Sequence, residues 1–372
     1  MPESLPPEFQ QIEAVAHDFA RAVLLPLKER AASGGLDDEA ARQQVIEASK
    51  AAGFFRMTQP AEYGGSEAGT LALVVTHDAL ASHNPRWLAD VFGPGPGVLA
   101  NVGEPLKSAY LAPLLEGHKR AGFGFTERDD APHYTRAERD GDELIISGQK
   151  SYVTRGAEID FLNTLMEVGD EGRAFVAIDT DRPGVSQERV FGSIDGTQHA
   201  AFKFENVRVP ASHIVGVPGE GMPKAMRQIG NTRLMMAAEA VGRARWVIAH
   251  LTGHLRRLEQ AGGVKESVRL RYGELRIKVY VARSALYRAA RLDATGENSV
   301  NEGIAAKVFA TETLSEVVDE AIQLGGGAAL ETDHPLAVLY NESRVMRVAE
   351  GLSDVLRLNM ARGALDLGKG TL

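Results

Sequence analysis

The residue pattern changes period twice along the chain. Up to about Lys119, apolar residues recur at three- and four-residue spacing, as in PEFQQIEAVAHDFARAVLLPLKERA and DDEAARQQVIEASKAAG, where Gly53 is placed to stop a helix. After Gly122 the text shortens to ELIISGQKSYVT, FLNTLMEV, RAFVAIDT and AAFKFENVRV, separated by RDGDE, TDRPG and ENVRVP. Such runs between Gly, Asp and Pro signals are strands and turns. From Gly221 long helical segments return: PKAMRQIGNTRLMMAAEAVGRARWVIAHLTGHLRRLEQ, VKESVRLRYGELRIKVYVARSALYRAARLDA, NEGIAAKVFATETLSEVVDEAIQLGG and VMRVAEGLSDVLRLNMARGAL. The expected fold is α+β multidomain: an N-terminal all-α domain at 1–119, a middle β-sandwich or barrel domain at 120–222, and a C-terminal antiparallel four-helix bundle at 223–372. FGPGPGV at 92–98 is too short for a linker and reads as a loop between helices.

Composition narrows the chemistry. With 372 residues, 44% apolar and 24% charged, the chain can bury a large core shared by two or three domains. A net charge of -9 with no long basic run argues against nucleic acid as a partner. There is no cysteine, so disulfides and thiolate metal sites are excluded, and redox chemistry would have to come from a bound organic cofactor. The N-terminus has no basic region followed by an apolar core, and no apolar run approaches membrane-spanning length. The expectation is a soluble cytoplasmic protein that neither spans nor binds a membrane.

One local feature asks for an explanation. RVMRVAEGLSDVLRLNMAR, residues 344–362, reads as helical but is interrupted by Glu350-Gly351. A glycine inside a helix costs about 1 kcal/mol against alanine. A carboxylate placed among Val348, Ala349 and Leu352 is either a solvated surface glutamate or a group kept for its chemistry.

Several stretches, taken in order, resemble the motifs of the acyl-CoA dehydrogenase family of flavoenzymes across nearly the whole chain. These are GFFRMTQPAEYGG, VGEPLKSAYLAPLLEGHKRAGFGFTE, ISGQKSYVTRG, FENVRVPASHIVG, GNTRLMMAAEAVGRAR, QLGGGAAL and RVMRVAEGLSD. The resemblance implies FAD as cofactor, an acyl-CoA thioester as substrate and an electron-transferring flavoprotein as electron acceptor. It makes Glu350 the catalytic base that removes the α-proton, with Gly351 letting backbone and ligand come close. Phe125, Thr126, Tyr152 and Thr154 fall on the family's flavin-contact strands. Gln323, Gly325 and Gly326 match its glycine turn, which meets the FAD of a neighbouring subunit, and this implies a homodimer or homotetramer. Thr232 and Arg233 match the pair near the thioester.

Some positions depart from the family pattern. Glu127-Arg128-Asp129-Asp130 replace a serine-bearing loop, and Glu266 stands where a glutamine is expected, with Arg256 or Arg257 left to meet pyrophosphate. Gly230, Asn341-Glu342 and Leu352 replace an acidic residue, an Arg-Asp pair and a threonine. These losses keep two alternatives open: a partner-dependent subunit of a hetero-oligomeric dehydrogenase, and a flavin monooxygenase or oxidase on the same fold.

Overall fold

A computed structural model describes residues 5–368. The first helical stretch comprises α1 (Pro7–Phe19) and α2 (Leu25–Ala32), joined by a π-helical turn at Ala20–Leu24. A second π turn, Lys107–Leu111, leads into α6 (Ala112–Glu116). Each ends two residues before a proline, Pro26 and Pro113. A proline lacks the N–H of a helical bond and crowds the preceding turn, and a locally widened turn makes room for it. Helix α3 (Asp38–Ala52) starts on Asp37, whose side chain accepts from the Ala40 amide at 2.9 Å, and ends at Gly53 as the sequence indicates. Helices α4 (Thr70–Ala81) and α5 (Leu88–Val91) follow.

The middle of the chain forms one eight-stranded mixed sheet: β1 (Ala121–Gly124), β2 (Arg136–Asp140), β3 (Glu143–Thr154), β4 (Phe161–Val168), β5 (Gly172–Asp179), β6 (Val185–Gly192), β7 (Gln198–Pro210) and β8 (Ile214–Val215). Its order is β6-β7-β3-β2-β4-β5-β8, with β1 pairing β4 in parallel. The strands read from ELIISGQKSYVT and FLNTLMEV match β3 and β4 residue for residue. Strands β2 and β6 escape that reading. In RAERD only Ala137 is buried, and VSQERVFG has no fully buried residue, so neither shows the apolar alternation that marks a strand.

The remaining helices are α7 (Gly221–Ala261), α8 (Glu266–Ala294), α9 (Val300–Gly325), α10 (Pro335–Met346) and α11 (Ser353–Leu365). The fourth helical segment of the expected bundle therefore spans the last two residues of α10 and the whole of α11. Arg347–Leu352 is turn and bend between them, and the interruption at Glu350-Gly351 is a complete break.

Packing divides the chain into two compact units. One holds the described residues through Phe55, Ala68–Phe92 and those from Gly230 on; the other holds Arg56–Glu67 and Gly93–Ile229. In the first unit Leu71, Val74 and Val75 of α4 share a core with Leu234, Val241, Val279, Leu286, Leu314 and Leu339. A buried polar network pins the same contact: Asp78 accepts from Arg245 at 2.7 Å, from Arg283 Nε at 2.9 Å and from the Tyr287 hydroxyl at 2.9 Å. In the second unit one face of the sheet closes over Leu144, Ile146, Leu162, Val176, Phe202 and Val207, and the other meets Leu99, Tyr110, Leu111 and Leu115. The segments 1–119, 120–222 and 223–372 follow element type, whereas the compact units follow packing.

Candidate active site

The turn between α10 and α11 carries Glu350 with φ +56° and Gly351 with φ +108°. Left-handed backbone at a glutamate is uncommon and is held only where surroundings enforce it. Two cations from different helices do so. Arg233 on α7 donates from Nε to the Glu350 carbonyl oxygen at 2.9 Å, and Lys307 on α9 donates from Nζ to the Gly351 carbonyl oxygen at 2.9 Å. Ser353 closes the turn by donating its amide to the Arg347 carbonyl at 3.2 Å.

Among the described residues, the Glu350 carboxylate accepts no hydrogen bond. Burial raises its proton affinity above the ordinary carboxylate value, and the charges of Arg233 and Lys307 oppose that rise without cancelling it. Lys307 is fully buried, and burial together with the nearby Arg233 brings its pKa down to about 8. The company expected for Glu350 needs correcting. Val348 is 45% and Leu352 53% exposed, so the desolvation does not come from those two side chains being core residues.

In the second unit, β1 ends at Gly124 and the chain runs on through Phe125 and Thr126 beside β3, where Ser151 donates its amide to the Thr126 carbonyl at 2.9 Å. Phe125 stacks on Phe123, whereas Thr126 and Thr154 are exposed. Tyr152 sits at a register shift between Lys150 and Val153 with φ +57°, 61% exposed, its ring edge-on to Phe191. A bulge that turns an aromatic ring outward in left-handed backbone is an irregularity found beside functional sites. The Ser151, Asn163 and Thr164 side chains behind these strands include buried oxygens without a hydrogen-bond partner.

Next to them lies a cleft of about 660 Å³, lined by Thr126, Glu127, Tyr134, Lys150, Arg173 and Met222, which is the size of a cofactor or substrate subsite. Its floor is an ion pair missed in the sequence: Lys150 Nζ meets Glu127 Oε1 at 2.5 Å, and the Thr135 amide donates to the same oxygen at 3.0 Å. Burial alone would raise the Glu127 carboxyl; the hydrogen bonds from Lys150 and Thr135 outweigh it and hold it below the usual value. An exposed aromatic ring, two exposed threonines and unsatisfied buried oxygens fit a flat heteroaromatic group with polar edges.

Gln323, Gly325 and Gly326 stand at the far end of α9, where Gly326 caps the helix with φ +77° and Gln323 is exposed. Lys307, which holds the Glu350 turn, lies eighteen positions earlier, about 27 Å along the rod. The glycine turn and the acidic turn are thus far apart within one chain. Thr232 is exposed on α7 one residue before Arg233. Arg256 and Arg257 are exposed near the end of the same helix, and Glu266 opens α8.

Helices, a mixed sheet and helices again, with a carboxylate isolated in the last inter-helix turn, define the acyl-CoA dehydrogenase fold. Comparison with known proteins agrees. Residues 6–118 match the family model described as Acyl-CoA dehydrogenase, N-terminal domain, and residues 219–365 the model described as Acyl-CoA dehydrogenase, C-terminal domain. The probable acyl-CoA dehydrogenase FadE25 of Mycobacterium tuberculosis is 30% identical over 94% of this chain and 95% of its own. The cyclohexane-1-carbonyl-CoA dehydrogenase of Geobacter metallireducens is 26% identical over 90% of this chain and 91% of its own. Among solved structures, a probable acyl CoA dehydrogenase from Mycobacterium abscessus superposes with a TM-score of 0.82 at 25% identity, covering 96% of this chain and 98% of that one. The chain belongs to the acyl-CoA dehydrogenase family. It is an oxidoreductase of acyl-CoA metabolism whose cofactor is FAD. Among the described residues no helix is long and apolar enough to cross a membrane, and no cluster could hold a metal ion.

Proposed function

We propose that the protein converts an acyl-CoA thioester to its 2-enoyl-CoA, with Glu350 as the base that removes the α-proton. The observation that carries this reading is the isolated carboxylate. It stands in a turn fixed by its backbone carbonyls, accepts no hydrogen bond from the described residues, and is made more basic by burial. A base for a weakly acidic C–H proton needs a raised proton affinity and an unoccupied oxygen, and Glu350 has both. Gly351, without a side chain, leaves Leu356 and the Arg233 guanidinium undisturbed beside it.

Arg233 and Thr232 would meet the thioester end of the substrate. Phe125, Thr126, Tyr152 and Thr154 would hold FAD in the second unit, and Gln323, Gly325 and Gly326 would meet the FAD of a neighbouring subunit in a homodimer or homotetramer. Bound FAD would supply the two-electron oxidising power that loss of a hydride from the β-carbon requires. An electron-transferring flavoprotein in the cytoplasm would then receive the electrons, as the family resemblance implies.

The test is an anaerobic absorbance titration of the purified holoprotein with a panel of acyl-CoA thioesters. Native protein should lose its flavin band with at least one of them. Glu350→Gln should bind the same thioester and bleach slower by about 10²–10⁴-fold, the usual weight of a general base. Bleaching of Glu350→Gln at the native rate would overturn the assignment of the base. A protein that stays colourless with added FAD would overturn the dehydrogenase reading.

A further inference from the structure

We propose that Lys307 is a positioning residue for the base: with Arg233 it grips the consecutive carbonyls of Glu350 and Gly351 and fixes the left-handed turn that presents the carboxylate. This rests on reading Glu350 as the base. Four observations carry it. The two donors come from different helices, α7 and α9, and reach neighbouring carbonyls at the same distance of 2.9 Å. Both residues of the turn have positive φ, so the backbone does not hold this shape on its own account. Lys307 is fully buried, and its helix neighbours Ile304 and Val308 pack on Leu356 of α11, so the amine's base is as fixed as its target. No hydrogen bond from Lys307 or Arg233 goes to the carboxylate itself, which stays open toward a substrate.

A partly buried carbonyl pair could be satisfied by neutral donors, as at most helix ends. Two cations do something a neutral donor cannot: they fix the turn and also temper the proton affinity that burial gives Glu350. Burial of the amine costs stability, so the bond to the Gly351 carbonyl is made against a desolvation penalty.

The experiment uses the FAD-loaded protein and the thioester that bleaches the native flavin. Lys307→Met should lower kcat at least tenfold with KM changed less than threefold, and should move the acidic limb of the kcat/KM profile to higher pH, because a positive charge near the base is lost. Amide exchange of the 348–353 peptide should quicken. Lys307→Gln keeps a donor without the charge. It should restore slow exchange and part of kcat while leaving the acidic limb displaced, and it carries the test if the methionine variant does not fold. Native kcat, native pH limb and native exchange in Lys307→Met would overturn the proposal, as would a kcat loss matched by loss of bound FAD. The two readings fail separately. If Glu350→Gln turns over at the native rate the base assignment falls; if that variant is inactive while Lys307→Met behaves as native, only the positioning role falls.

Discussion

Replacing Gly351 by alanine probes the active-site turn without removing a charge. At φ +108° the backbone is outside the range that a side-chain-bearing residue adopts comfortably, and holding one there costs about 1–3 kcal/mol. The new Cβ would stand 3.2 Å from Leu356 Cδ2 and 3.4 Å from an Arg233 guanidinium nitrogen. Leu356 is fully buried and has little room to yield, so overpacking adds about 1–2 kcal/mol. The sum, about 2–5 kcal/mol, should appear as a lower thermal midpoint of the holoprotein, by roughly 3–6 °C for a chain of this length. The same strain is relieved by shifting Arg233 or rotating the Glu350 peptide, and either moves the carboxylate, so kcat should fall at least about tenfold, or 1.4 kcal/mol in barrier. A variant with native midpoint and native kcat would show that the turn tolerates a side chain at φ +108° and would overturn the strain assigned to it.

Gly273 in the interior of α8 makes the opposite case: nothing lies within 4 Å of its missing Cβ, so Gly273→Ala should raise the stability measured by urea unfolding by about 0.5–1 kcal/mol. Glu127→Gln should destabilise the protein by about 3–5 kcal/mol in urea unfolding, because Lys150 is left buried and unpaired, and the double variant with Lys150→Met should recover much of the loss. The Glu127 carboxyl is held below its unfolded value of 4.5, so its contribution is complete above that pH and is lost as pH falls through the folded value; Glu127→Gln should flatten stability against pH in that acidic window. Asp78→Asn should cost about 3–5 kcal/mol by loosening α4 from α7 and α8, measurable as a lower midpoint at neutral pH.

Much of this was legible in the residues because it is periodic. Strands β3 and β4 and the stop at Gly53 follow from alternation and from a glycine cap, both local signals. The break at Glu350-Gly351 was visible as an interruption, yet its depth was not, since a turn held by donors from α7 and α9 depends on residues 117 and 44 positions away. Lys307 stood in plain view inside the apolar run GIAAKVFA, where a lysine needs a reason, but nothing local names its acceptor. The pairing of Glu127 with Lys150 was hidden likewise: twenty-three positions separate them, and the loop between is read only as a departure from a family pattern. Strand β6 was lost because water touches both of its faces.

That same strand has a consequence for the protein in a crowded solution. The ordered path of the sheet ends in β6 on one side and in the two-residue β8 on the other. A free strand edge invites a foreign strand to add to it, and the usual guards are shortness and charge. Here one edge is too short to template a ladder, and the other carries Glu188 and Arg189 along an exposed ribbon. Growth of the sheet by accretion of other chains is thus discouraged at both margins, and the polar text that concealed β6 from a pattern reading is the text that keeps the sheet finite.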